Sequence, residues 1–179
     1  MLKTRNHLGT ALHCVVANDK EDVALYILNS IDPSKTYSLV TIRSDLGRTV
    51  LHECCYSSSG CLKVVEQILG QIESGQQQKL LFAKDTAGCT ALHYAAKRDH
   101  VNLITVILEV LKVKELKARL LDSENNARQT ALELAVELNS EETVSKLKAV
   151  LDALESKKEC DKKGKFVIGV YSEQANGCW

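Results

Sequence analysis

Asp85-Thr86-Ala87-Gly88-Cys89-Thr90-Ala91-Leu92-His93-Tyr94-Ala95-Ala96 is the stretch that decides how the rest of the chain folds. Its first four residues read as a turn, with Gly88 suited to a positive φ. Thr90 then starts a helix, its hydroxyl able to accept from an unpaired backbone N–H of the first turn. Leu92, Ala95 and Ala96 make a narrow apolar face at helical spacing, and the alanines let a neighbouring helix come close. Asp99-His100 interrupts the pattern. A bulkier second helix follows, with Leu103, Ile104, Ile107, Leu108 and Leu111 on one side.

The same phrase is written four times. Thr10-Ala11-Leu12-His13, Thr49-Val50-Leu51-His52, Thr90-Ala91-Leu92-His93 and Thr130-Ala131-Leu132-Glu133 place their threonines 39, 41 and 40 residues apart. A catalytic constellation is built once, whereas a stacked array needs the same joint in every copy. The second helices repeat as well: Val23, Ile27, Leu28 and Ile31 in copy one, then Val64, Val65, Ile68, Leu69 and Ile72 in copy two. Copy four supplies Val144, Leu147, Val150, Leu151 and Leu154. A two-helix unit of this size cannot cover its own apolar faces, so neighbours must stack.

Composition agrees. One proline and nine glycines in 179 residues suit a helical chain, and aromatics are only 4%. Lys plus Arg equals Asp plus Glu at 23 each, so no overall field recommends nucleic acid or an anionic membrane as partner. Seven cysteines without framework spacing, two of them adjacent, fit a reducing compartment. No stretch approaches membrane-spanning length, and the first residues lack the apolar run of a signal peptide. A cytoplasmic location is expected.

The residues Asp85-x-x-Gly88-x-Thr90-Ala91-Leu92-His93-x-Ala95-Ala96, with partial copies at 5–16, 44–55 and 125–136, resemble the ankyrin-repeat family. The resemblance covers roughly residues 1–154. It implies an all-α solenoid of paired antiparallel helices with hairpin-like inter-repeat loops. The expected division is 1–38, 39–79, 80–119 and 120–154 for the four repeats. A charged linker over 155–165 and a short C-terminal strand and tail over 166–179 complete the chain. Alanine or valine stands where the family usually has proline, and the period exceeds the family's usual length of about 33 residues. The excess falls in the inter-repeat segments, which predicts longer second helices or an added turn before each loop. One such segment, 112–122, reads as helical through Val113, Leu116, Leu120 and Leu121. Copy two should also have a longer inter-helix turn at Ser57-Ser58-Ser59-Gly60. Met1 falls at the register of Val40, Leu81 and Leu121, so the chain starts inside a repeat, as a piece of a longer array would.

Chemistry has few candidates. The resemblance gives His13, His52 and His93 a structural bond to the motif threonine. Cys54 and Cys55 fall at the register of Ala95 and Ala96 and read as small core residues. Adjacent cysteines lack the spacing of zinc ligands, and no phosphate-binding glycine motif is present. No catalytic residue, metal or cofactor is expected, and the chain reads as a non-enzyme.

The resemblance instead implies that a protein partner binds the concave side, formed by loop tips and the exposed face of each first helix. In copies two and three this face carries Arg48, Glu53, Tyr56, Tyr94, Lys97 and Arg98, including residue types common at binding hot spots. Tyr94→Ala or Arg98→Glu is expected to weaken binding without unfolding the array. The default is a monomer, with 166–171 as the stretch that could pair with a second copy. The alternative is a targeting arm of a larger enzyme or bacterial effector whose chemistry lies elsewhere. Long, proline-poor repeats with Ala-Leu-His are similar to ankyrin proteins of host-associated bacteria, which would place such a protein in a host cytosol.

Overall fold

The computed structural model describes residues 9–162. Repeat one contains α1 (Ala11–Ala17), α2 (Glu21–Asn29) and α3 (Pro33–Val40). Repeat two contains α4 (Val50–Tyr56), α5 (Leu62–Gln71) and α6 (Ser74–Leu81). Repeat three contains α7 (Ala91–Lys97), α8 (Val101–Val110) and α9 (Lys114–Leu121). Copy four has α10 (Ala131–Glu137) and α11 (Glu141–Lys162). First helices stack on first helices (α1, α4, α7, α10) and second helices on second helices (α2, α5, α8, α11). The described residues form an all-α solenoid.

The extra length of each repeat is a separate third helix, not a prolonged second one. Chain breaks explain why. Pro33 has no amide hydrogen and disfavours helix in the residue before it, so α2 cannot run into α3. Ile72 is extended (φ −116°, ψ 151°) and Leu111 has ψ 93°, and both drop a buried side chain into the core. Each third helix closes with an apolar pair at one register: Leu39-Val40, Leu80-Leu81 and Leu120-Leu121, all buried. The helix expected within 112–122 is α9, and its two counterparts repeat the device. The turn between α4 and α5 runs from Ser57 to Cys61, longer than the three residues Asn18-Asp19-Lys20 in copy one.

The inter-repeat loops are hydrogen-bonded turns that join one another. Ser44 N–H donates to the Arg48 carbonyl, Asp85 N–H to Cys89 and Asn125 N–H to Gln129, each closing its own loop. Thr86 N–H then donates to the Leu46 carbonyl, and Asn126 N–H to Ala87, so each tip is tied to the one before it. Gly47 and Gly88 sit at φ +71° and +74°, as the turn requires. A Cβ on Gly88 would strike the Asn126 side chain, so close tip packing also demands glycine there.

Val23, expected on the buried side of α2, is 47% exposed. Its counterparts Val64, Leu103 and Thr143 face the preceding repeat and are buried. No repeat precedes α2 among the described residues, so Ala24 and Leu28 carry its core contact. At the other end α11 continues as one helix to Lys162, through much of the segment expected as a charged linker over 155–165. The strand expected over 166–171 lies outside the described residues.

Candidate binding face

The motif histidines are joints between repeats. In copy three, Thr90 N–H donates to His93 Nδ1 (3.1 Å), and the Thr90 hydroxyl lies 2.9 Å from the same nitrogen. An amide can only donate, so Nδ1 is an acceptor and the ring proton sits on Nε2. That Nε2–H donates to the Gln129 carbonyl of the next repeat (3.1 Å). Copy one reaches the Arg48 carbonyl in the same way, and copy two reaches Ala83 and Cys89. Burial pushes His52 down to about 4 and lowers His93 as well, keeping both rings neutral. In copy four Glu133 Oε2 accepts from the Thr130 amide (2.7 Å) and hydroxyl (2.9 Å). No repeat stacks beyond it among the described residues, so a carboxylate performs the capping half alone.

These side chains are therefore committed to structure. So are the thiols of Cys54 and Cys55, which lie fully buried where Ala95 and Ala96 lie in copy three. Burial raises both thiol pKa values, which removes the thiolate a nucleophile or metal ligand needs. Among the described residues no group of three or more His, Cys, Asp or Glu side chains is placed to hold a metal ion. Nor is any described helix long and apolar enough to cross a membrane.

Five of the six residues predicted for the site come together where α4 meets α7. The Arg48 guanidinium lies over two rings, 4.6 Å from the Tyr94 centroid and 4.8 Å from that of Tyr56. Tyr56 and Tyr94 meet edge to face at 5.5 Å, and Arg98 covers the Tyr56 ring at 4.3 Å. Such contacts are worth about 0.5–1 kcal/mol each at exposed sites and more when desolvated. Arg48 also pairs with Glu53 (3.6 Å). Burial raises the Glu53 pKa, partly opposed by Arg48. Lys97 is exposed and is not joined to this cluster; its charge is felt at the Cys89 thiol instead.

Asp85 completes the cluster, and sequence reading missed it. Its Oδ1 accepts from the amides of Ala87 and Cys89 (2.9 Å each), which folds the turn. Its Oδ2 accepts from the Tyr94 hydroxyl (2.6 Å), which in turn accepts from Arg48 Nε (3.2 Å). Arg48 Nε also stands 3.7 Å from this carboxylate, whose side chain is 2% exposed. The signal was available. Ser44 and Asn125 hold the Asp85 register in copies two and four, and neither is charged. Only copy three puts an acid there, next to the only arginine that precedes a motif threonine.

This geometry corrects one expectation. Tyr94 is 6% exposed and tied at its hydroxyl to both neighbours, so it supports the face from beneath. Tyr94→Ala would open a cavity and orphan Asp85, which makes it a stability variant before it is a binding variant. What a partner could touch is the outer part of Tyr56 with Arg98 and Lys97, over a fixed floor of Arg48, Tyr94 and Asp85.

The family model described as ankyrin repeats (three copies) matches residues 74–156. Among solved structures, one chain of the crystal structure of the yeast ribosomal protein Rps3 in complex with its chaperone Yar1 is similar, with a TM-score of 0.60 and 15% identity. The match covers 74% of this chain and 85% of that one. Likeness at such identity concerns the fold. No curated protein matches in sequence. Copies one and two carry the same Thr-x-x-His joint as copy three, and the loop tip of copy two is tied to that of copy three. The chain thus carries ankyrin repeats over residues 74–156.

Proposed function

We propose that this chain is a non-catalytic protein-binding module whose partner docks on the concave face of copies two and three. Arg48, Glu53, Tyr56, Tyr94, Lys97 and Arg98 form that site, with Tyr56, Lys97 and Arg98 as contact residues and the others as support. One observation carries the reading: the ladder Arg48–Tyr56–Arg98 over Tyr94 orders two rotamer-rich arginines before any partner arrives. Ordering such a side chain on binding costs about 0.5–1.5 kcal/mol, so a pre-ordered face binds more tightly than a mobile one of equal area. Arginine and tyrosine are also the residues that dominate interface energetics.

The test is a cytosolic capture with the full chain beside a variant carrying Tyr56→Ala, Lys97→Glu and Arg98→Glu. Tyr56→Ala removes three ring contacts, so the thermal midpoint should fall, and circular dichroism at the working temperature checks that the variant is folded. A protein retained by the parent chain and lost from the variant supports the reading. Equal retention by both moves the site to another face of the stack.

A further inference from the structure

The charges of this face point to the chemistry of the partner. Tyr94 and Lys97 stand at i and i+3 on α7, and Arg98 follows as the C-cap of that helix. Tyr94 is buried, while Lys97 and Arg98 are exposed. Arg98 lies 4.3 Å over the centre of the Tyr56 ring, and no carboxylate of the described residues lies within ion-pair distance of it. The acids nearby point inward. Glu53 faces Arg48, and Asp85 spends both oxygens on backbone amides and the Tyr94 hydroxyl. An approaching molecule therefore meets the Arg98 cation on an aromatic ring, with the exposed Lys97 one residue before it.

The pattern is bounded on both sides. In copy one the registers of Lys97 and Arg98 hold Ala17 and Asn18, which carry no charge. In copy four they hold Glu137 and Leu138, and Glu137 accepts from Gln129 Nε2 at 2.7 Å. Copy two holds Tyr56 and Ser57 there, so positive charge at these registers is confined to copy three, with an acid in the next copy.

We propose that the partner seats an acidic peptide segment here, with one carboxylate on the edge of the Arg98 guanidinium and a second on Lys97. This rests on the binding-module reading and adds the chemistry of what binds. Contact with Tyr56 positions the Arg98 guanidinium, which has no carboxylate of its own and can offer a two-pronged bond to one. Two cations on a chain of zero net charge fall short of a surface that tracks a phosphate backbone, which needs many neutralised phosphates. A protein acid fits this face better than nucleic acid.

The experiment uses the full chain and four fluorescein-labelled probes read by anisotropy at low and high salt. They are a short peptide rich in Glu and Asp, the same peptide with Gln and Asn, its Lys counterpart, and a single-stranded RNA of equal length. The acidic peptide should bind and the amide version should not. Arg98→Glu should weaken the acidic peptide by about tenfold and Lys97→Glu by about threefold. Arg98→Lys should fall between Arg98→Glu and the parent, since it keeps the charge but not the planar stack. Unchanged circular dichroism and thermal midpoint show that each variant is folded. Preference for the lysine peptide, tighter RNA binding, no acidic binding, or indifference to Arg98→Glu each overturns the proposal. The capture experiment separates the two readings. A partner lost from the surface variant while the acidic peptide fails to bind removes only the acidic chemistry. Failure of both removes the concave site itself.

Discussion

Two residues show how local chemistry departs from the repeat plan. Thr143 takes the register of Val64 and Leu103 in α11, fully buried, and its hydroxyl is the one buried side-chain polar atom without a partner among the described residues. A buried hydroxyl with no bond costs about 1–3 kcal/mol. Valine has nearly the same shape and is what copy two uses. Thr143→Val should therefore raise stability by about 1 kcal/mol in urea unfolding, and a loss would show that the hydroxyl has a partner after all. Tyr94 is the converse. Its hydroxyl bridges Arg48 and Asp85, so Tyr94→Phe keeps the ring stack and strands two charged groups. It should cost about 1–3 kcal/mol, while the mirror change Tyr56→Phe, whose hydroxyl makes no bond within this cluster, serves as the control expected to be near neutral.

The loops show the same logic one level up. Gly47 and Gly88 hold positive φ at the fourth place of their turns, and Arg128 holds φ +59° at that place in copy four. A side chain there is strained, and the exposed guanidinium earns nothing visible in return. Arg128→Gly should stabilise the chain by about 0.5–1 kcal/mol, read as a shifted thermal midpoint; an unchanged or lower midpoint would mean the arginine has a compensating contact. At this scale the sequence was easy to read where a feature recurs. The Thr-x-x-His joint, the turn glycines and the apolar faces of α5 and α8 are legible because four copies align and the period is helical. The third helices were harder, since Leu39-Val40, Leu80-Leu81 and Leu120-Leu121 show their common register only once the break before them is known. Ile72 and Leu111 look like continued helix, and only their extended backbone reveals a turn. The site divided in the same way. Residue types and register brought Arg48, Tyr56 and Arg98 to one face, but burial of Tyr94 depends on the neighbouring helix, which no single copy encodes. Asp85 was hidden because a turn aspartate has an ordinary explanation within its own loop.

The molecule as a whole is a one-dimensional array, so its stability resides largely in the joints between copies. The histidine joint makes that stability depend on pH. Folded, His52 accepts at Nδ1 from the Thr49 amide and donates from Nε2 to Ala83 and Cys89, so a second proton would meet burial and an opposing N–H. Burial brings its pKa to about 4, against 6.5 for the free side chain. Between those values the unfolded chain takes up a proton that the folded chain refuses. Stability is thus complete above pH 6.5 and falls as the solution is acidified toward pH 4. The loss from His52 is about 2 kcal/mol between pH 7.5 and 5, and the lowered pKa of His93 acts in the same direction. Glu53 opposes it, because burial raises its pKa and the folded chain then takes up that proton first, an effect that Arg48 partly offsets. Urea midpoints at pH 7.5 and 5 should therefore differ strongly for the parent chain and less for His52→Gln, whose amide can fill both hydrogen-bonding roles without titrating. Equal pH slopes for the two would mean that acid acts elsewhere than at the joint. A reduced slope would tie the acid response of the entire stack to the four-residue phrase from which its fold was first read.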